Sequence, residues 1–119
     1  ALAAGANYVA LGHSYSAGVC AGSYPGDSGS CKRSTNAYAD QWKNANAPSS
    51  FSGVPCSDAK TRCILRPQLS AMNAGTTLVI LTIGGNDAGF YSTMQTCVLS
   101  SDSDRLNAVS AAESYAENT

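Results

Sequence analysis

The chain predicts an α/β layered fold built on a parallel sheet, and three observations lead there. Asn7-Tyr8-Val9-Ala10-Leu11 and Leu78-Val79-Ile80-Leu81-Thr82-Ile83 are short apolar runs without alternation, each stopped by glycine. Strands buried on both faces of a parallel sheet read this way. Helical patterns follow each run, giving the order strand, helix, strand, helix. A chain of 119 residues holds one hydrophobic core rather than two. A complete doubly wound sheet has about four to six strands, so two firm strands mark the opening portion of a single domain spanning residues 1–119.

The first strand, Asn7 to Leu11, runs into a turn at Gly12 to Ser14. Gly18 to Ser34 is dense in Gly, Ser, Pro and Asp and reads as a surface loop. A helix fits Thr35 to Asn44, with Tyr38, Gln41 and Trp42 spaced to set both aromatic rings on one face. Ala45 to Gly53 is a second polar loop, and Val54 to Ser57 reads as a brief strand. A loop or helix containing Gln68 to Met72 follows. Leu78 to Ile83 is expected to be a central strand ending at Gly84-Gly85. Leu106, Val109, Ala112 and Tyr115 give residues 104–117 a weak amphipathic helix.

Composition excludes several function classes. Seven basic against eight acidic residues leave a net charge of -1, with no basic run to neutralise a row of phosphates, so nucleic acid is not an expected partner. The longest apolar stretch, Thr76 to Ile83, is less than half of the roughly 20 residues that cross a bilayer. The start Ala1-Leu2-Ala3-Ala4 is expected to be a mature end left by removal of a signal or pro-segment.

The five cysteines point to an oxidising, extracellular compartment, because their spacing is not that of a metal site. Pairing Cys20 with Cys31 and Cys56 with Cys63 would close two short loops, each stabilised by about 2–3 kcal/mol. Cys97 is then left as a free thiol or bonded to a cysteine outside the chain.

In α/β folds the reactive groups lie on loops just beyond the carboxyl ends of strands. Gly12-His13-Ser14-Tyr15-Ser16-Ala17-Gly18 places a serine there, its hydroxyl at the sheet edge and its N–H at a helix start, which suits a nucleophile. A serine in that place is also a common helix cap. Thr82-Ile83-Gly84-Gly85-Asn86-Asp87 ends the last strand in two glycines that permit close backbone approach. The Asn86 amide is thereby available to a developing oxyanion, although Asn in such a turn often serves the turn alone.

Taken together the two motifs resemble the SGNH hydrolases, also called GDSL esterases and lipases, in their secreted lipase-like branch. Tyr8-Val9-Ala10-Leu11-Gly12-x-Ser14-Tyr15-Ser16-Ala17-Gly18 is similar to the first family block and Gly84-Gly85-Asn86-Asp87 to the third. Cys31-Lys32-Arg33-Ser34, Asn36-Ala37-Tyr38 and Pro55-Cys56-Ser57-Asp58-Ala59 resemble its linking segments, so the likeness covers almost the whole chain. The resemblance implies a three-layer, flavodoxin-like fold of which this chain forms the N-terminal part. It implies a carboxylic ester hydrolase that needs no metal or organic cofactor. Ser14 would be the nucleophile, and the N–H groups of Ser14 and Asp58 with the Asn86 side chain would form the oxyanion hole.

Three departures from the family pattern bear on that expectation. His13 stands where the family has the aspartate of Gly-Asp-Ser, and a neutral imidazole reproduces only part of a carboxylate's hydrogen bonding. Asp58 stands at the glycine of the second block. A carboxylate about 6 Å from the oxyanion costs on the order of 3 kcal/mol at an effective dielectric near 20, so its side chain must face solvent for the hole to work. The Asp-x-x-His segment that carries the base has no counterpart, so a second polypeptide or a missing segment is expected to supply it. The competing expectation is an inactive relative that keeps the fold as a secreted binding or structural module.

Overall fold

β1 (Asn7–Gly12) is the middle strand of a three-stranded parallel sheet in the order β2-β1-β3, with β2 at Ser50–Gly53 and β3 at Leu78–Thr82. This is seen in a computed structural model that describes residues 5–118. The chain divides after Ile83 into two compact units, and the sheet belongs to the first.

Alternation along β1 builds the layers. Tyr8 and Ala10 point to one face, where they meet Ala39 and the partly buried Trp42, Phe51, Leu78 and Ile80. Ala39 and Trp42 come from α2 (Tyr38–Asn46), and the Tyr8 ring lies 4.7 Å from that of Trp42 and 5.0 Å from that of Phe51. Val9 and Leu11 point to the other face, against Ile64 and the partly buried Leu69, Ala71 and Met72. A sheet covered by helical turns on both faces makes the three layers that the family resemblance implies. Burying a side chain of the size of Leu11 contributes about 1.5–3 kcal/mol. Burial, with Tyr38 and Asp40 adding to it, pushes the Tyr8 phenol up to about 12.

The two crossovers run over opposite faces. The β1 to β2 connection carries α1 (Ser14–Ala17) and α2. The β2 to β3 connection carries α3 (Thr61–Cys63), a wide turn over Ile64–Gln68 and a 3₁₀ turn over Leu69–Ala71. Pro67 lies inside the wide turn; its missing N–H breaks the regular helical ladder, which loosens there. Because the crossovers diverge from β1, the strand order reverses between β1 and β3. A doubly wound sheet opens its ligand crevice beyond the carboxyl ends of such a strand pair.

Several elements differ from the sequence reading. The helix expected from Thr35 starts at Tyr38 and ends at Asn46, with Ala47 in a left-handed conformation ahead of Pro48. The strand expected at Val54 to Ser57 lies four residues earlier, because Phe51 packs on Tyr8 and sets the register Tyr8↔Phe51. Past Gly53 the segment keeps two contacts with β1, Val54 donating to the Ala10 carbonyl at 3.0 Å and Cys56 to the Gly12 carbonyl at 3.1 Å. β3 was expected to be central, yet among the described residues it is an edge strand, with Val79 43% and Leu81 48% exposed.

The second unit contains α4 (Phe90–Leu99) and α5 (Asp102–Glu117), which pack against each other. Ser101 caps α5 by accepting from the Asp104 N–H, and Asp102 and Asp104 lie in the first turn, where carboxylates suit the helix dipole. Of the expected apolar stripe, Leu106 and Val109 are exposed, whereas Ala112 and Tyr115, with Ala108, border the groove against α4. Small side chains allow the two helices to approach, so alanines take the inner face. No helix among the described residues is long and apolar enough to cross a membrane.

Candidate active site

Ser14 is the first residue of α1, directly beyond β1. The turn that delivers it is held on three sides. Gly12 has φ +138, and a Cβ there would stand 2.4 Å from both the Thr82 carbonyl oxygen and Ser16 Oγ, so only glycine lets β1 turn this close to β3. The His13 N–H donates to the Thr82 carbonyl at 3.0 Å, carrying the β1–β3 pairing one residue past the strand. Gly18, with φ +75, ends α1 where a Cβ would meet that of Ala37 at 2.8 Å. Ser14 is left partly exposed, between buried His13 and exposed Tyr15.

His13 is 4% exposed and acts as the cap of α1, its Nδ1 accepting from the Tyr15 N–H at 3.2 Å. Its ring lies 5.3 Å from that of Tyr15. Behind Ser14, a chain of hydroxyls joins Ser16 Oγ to Tyr38 Oη at 2.7 Å and Tyr38 Oη to Thr82 Oγ1 at 3.0 Å. It ties α1, α2 and β3 together. Gln68, 4% exposed, accepts from the Gly12 N–H through Oε1 at 2.8 Å and donates to the Gly12 carbonyl through Nε2 at 2.9 Å. The Cys56 N–H donates to the same carbonyl at 3.1 Å.

Asp58 stands two residues beyond that Cys56 contact with its side chain exposed. It borders a cavity of about 530 Å³ whose other walls include Arg33, Val54, Pro67 and Gln68. Asn86 lies in the second unit, in the turn between β3 and α4, where Ala88 and Phe90 donate to the Gly84 and Gly85 carbonyls. Tyr38, Thr82 and Gln68 were missed as site residues in the sequence reading. Tyr38 carried a helical-face signal only, and nothing about a glutamine after proline announces a buried contact from residue 68 to residue 12.

The disulfide expectation is corrected. Cys31 bonds Cys56, with Cα atoms 4.1 Å apart, instead of Cys20–Cys31 and Cys56–Cys63. The short-loop pairing weighed sequence distance alone, whereas the fold lays the segment after β2 against the loop before α2, where the Ser57 N–H donates to the Cys31 carbonyl at 3.1 Å. Cys20, Cys63 and Cys97 form no disulfide among the described residues, and Cys20 is an exposed left-handed residue.

The chain is similar to Lipase 1 of Streptomyces coelicolor, with 52% identity over 98% of this chain and 44% of the relative. It is 50% identical to a lipase of Streptomyces rimosus over 95% of this chain and 42% of the relative. Among solved structures, a phospholipase A1 from Streptomyces albidoflavus superposes with a TM-score of 0.93 at 50% identity, and an extracellular lipase from Streptomyces rimosus with 0.92 at 49%. These cover 97% and 96% of this chain and 49% of each solved chain. No protein-family model matches. The chain thus spans about half the length of the proteins it matches. With the first and third blocks in place and this strand order, it belongs to the SGNH hydrolase family and carries that family's α/β fold.

Proposed function

We propose that the protein hydrolyses carboxylic esters, lipid esters among them, through an acyl-enzyme on Ser14. The observation that carries this reading is the delivery of Ser14 by the Gly12 turn to the carboxyl edge of β1, beside β3, where the strand order reverses. The lipase and phospholipase relatives support the substrate class.

In the proposed reaction Ser14 Oγ attacks the ester carbonyl carbon while a histidine outside residues 1–119 takes its proton. The oxyanion is held by the N–H groups of Ser14 and Asp58 and by the Asn86 side-chain amide. The carbonyl re-forms, the alcohol leaves with the proton from the histidine, and water then releases the acid by the reverse pattern. Residues 1–119 are read as the N-terminal portion of a single domain, completed by a segment or second polypeptide carrying Asp-x-x-His. The half-exposed Val79 and Leu81 on edge strand β3 support this, since such a face is normally covered. Cys97 is read as the anchor of a disulfide to that remainder, and the extracellular relative supports secretion.

Ser14→Ala in the protein that carries the base should abolish hydrolysis of activated short-chain esters and labelling by a fluorophosphonate, with the fold retained. Asn86→Ala should lower kcat by about 10²–10³. Activity of Ser14→Ala within tenfold of wild type would rule out this nucleophile and favour a binding module with an unrelated background activity.

A further inference from the structure

We propose that Gln68 is a positioning residue for the nucleophile, its side-chain amide completing the strand-like hydrogen bonding of Gly12. This deepens the reading of Ser14 as nucleophile and rests on it. Even-numbered residues of β1 turn their N–H and carbonyl toward β2: Ser50 donates to Ala6, Val54 to Ala10 and Cys56 to Gly12. β2 stops at Gly53; past it the Cys56 N–H still reaches the Gly12 carbonyl, but the Gly12 N–H, two residues before Ser14, finds its acceptor in Gln68 in place of a strand carbonyl. Gln68 Oε1 accepts from the Gly12 N–H at 2.8 Å, as a strand carbonyl would, and its Nε2 donates to the Gly12 carbonyl at 2.9 Å beside the Cys56 N–H.

An amide does this with one group at any pH, because it presents an acceptor and a donor side by side in a plane. Both partners are buried, so water is not on hand to replace either bond. Gln68 is the last residue of the wide turn opened by Pro67, and such widened turns recur at functional sites. Gly12 has φ +138 and no room for a Cβ. Its backbone therefore has one way to lie, and the amide fixes it from the side opposite Thr82. The direction in which Ser14 leaves the strand follows.

The test compares Gln68→Met, Gln68→Glu and Ser14→Ala in the protein that carries the base, with kcat, KM and thermal unfolding measured from about pH 5 to about pH 9. Methionine keeps the bulk and loses both bonds, so kcat should fall about 10–100-fold with KM within about threefold, as for a misplaced reacting group. Glutamate distinguishes positioning from filling. Ionised, it accepts from the Gly12 N–H but faces the Gly12 carbonyl lone pairs; protonated, it offers both an acceptor and an O–H donor. Burial and that carbonyl raise its carboxyl above the usual range. The kcat ratio of Gln68→Glu to wild type should therefore be low at alkaline pH and climb toward unity as pH falls.

A flat ratio across the pH series, or a loss of thermal stability with kcat of the folded enzyme unchanged, would overturn the inference. Should Gln68→Met not fold, the glutamate series decides alone. Failure of the glutamate variant to fold at acidic pH also counts against it, because the protonated acid retains both bonds. Ser14→Ala keeps the two failures apart. If it stays active the nucleophile assignment fails; if it is inactive while the Gln68 variants match wild type, the Gln68 inference alone fails.

Discussion

Gly12→Ala is the sharpest single test of how β1 presents Ser14. The added Cβ would lie 2.4 Å from the Thr82 carbonyl oxygen, 2.4 Å from Ser16 Oγ and 2.9 Å from Ser16 Cβ. A side chain can turn away, but Thr82 is backbone in β3, paired with Gly12 itself in the register of five residue pairs that joins the two strands. The steric conflict costs about 1–3 kcal/mol as overpacking, and an alanine at φ +138 adds about 1–3 kcal/mol of backbone strain. Destabilisation of about 2–6 kcal/mol is expected, read as a lowered denaturant midpoint. Relief comes by moving the turn, and a shift of about 1 Å at a nucleophile costs about 10² in kcat. Combining Gly12→Ala with Ser16→Gly removes two of the three close contacts but leaves the backbone one, so rescue should be partial. Stability within about 0.5 kcal/mol of wild type together with kcat within about twofold would refute the claim that this glycine is required by the close approach to β3.

Two further outcomes follow from the fold. Replacing both Cys31 and Cys56 by serine should cost about 3–4 kcal/mol, since their disulfide closes a sequence separation of 25; peptide mapping without reduction should recover a Cys31–Cys56 pair, and a Cys20–Cys31 or Cys56–Cys63 peptide would contradict it. The Tyr8 phenolate, isolated by comparing ultraviolet titrations of wild type and Tyr8→Phe, should appear with a pKa of about 12. A folded pKa raised above the ordinary 10.0 favours the neutral phenol, so the related stability is complete below about pH 10 and lost as pH rises through about 12. The loss amounts to about 3 kcal/mol, and an alkaline unfolding edge unchanged in Tyr8→Phe would argue against it.

The sheet was legible because both long strands are continuous apolar runs ended by glycine, a pattern set by burial on two faces. Ser14 was legible for the same reason: its place follows from where β1 stops. β2 was misplaced because Phe51 stands in a polar loop, and only its packing on Tyr8 makes Ser50–Gly53 a strand. α4 went unseen, since Ser92, Thr93, Thr96 and Val98 dilute any helical signal in Phe90–Leu99. The Cys31–Cys56 bond and the Gln68–Gly12 contacts join residues far apart in sequence. Such pairings depend on how crossovers fold back, which local spacing does not encode.

Two of the three departures from the family pattern, His13 and Asp58, look different once placed in three dimensions. At residue 13 the turn requires an acceptor for the Tyr15 N–H, and His13 Nδ1 supplies it; aspartate is a favoured cap for the same reason. The substitution therefore keeps the capping part of the carboxylate's work. It also argues against His13 as the base for Ser14, because accepting from Tyr15 occupies the Nδ1 lone pair and leaves the proton on Nε2. Asp58 was a threat only if its carboxylate pointed inward, into a low-dielectric site. Its side chain is exposed, where water screens it far more strongly than the interior would. Its backbone follows the Cys56 N–H contact to Gly12 and the Cys31–Cys56 bond. That part of the second block is fixed by its main chain and its cysteine, which is why a carboxylate in place of glycine is compatible with the proposed oxyanion hole.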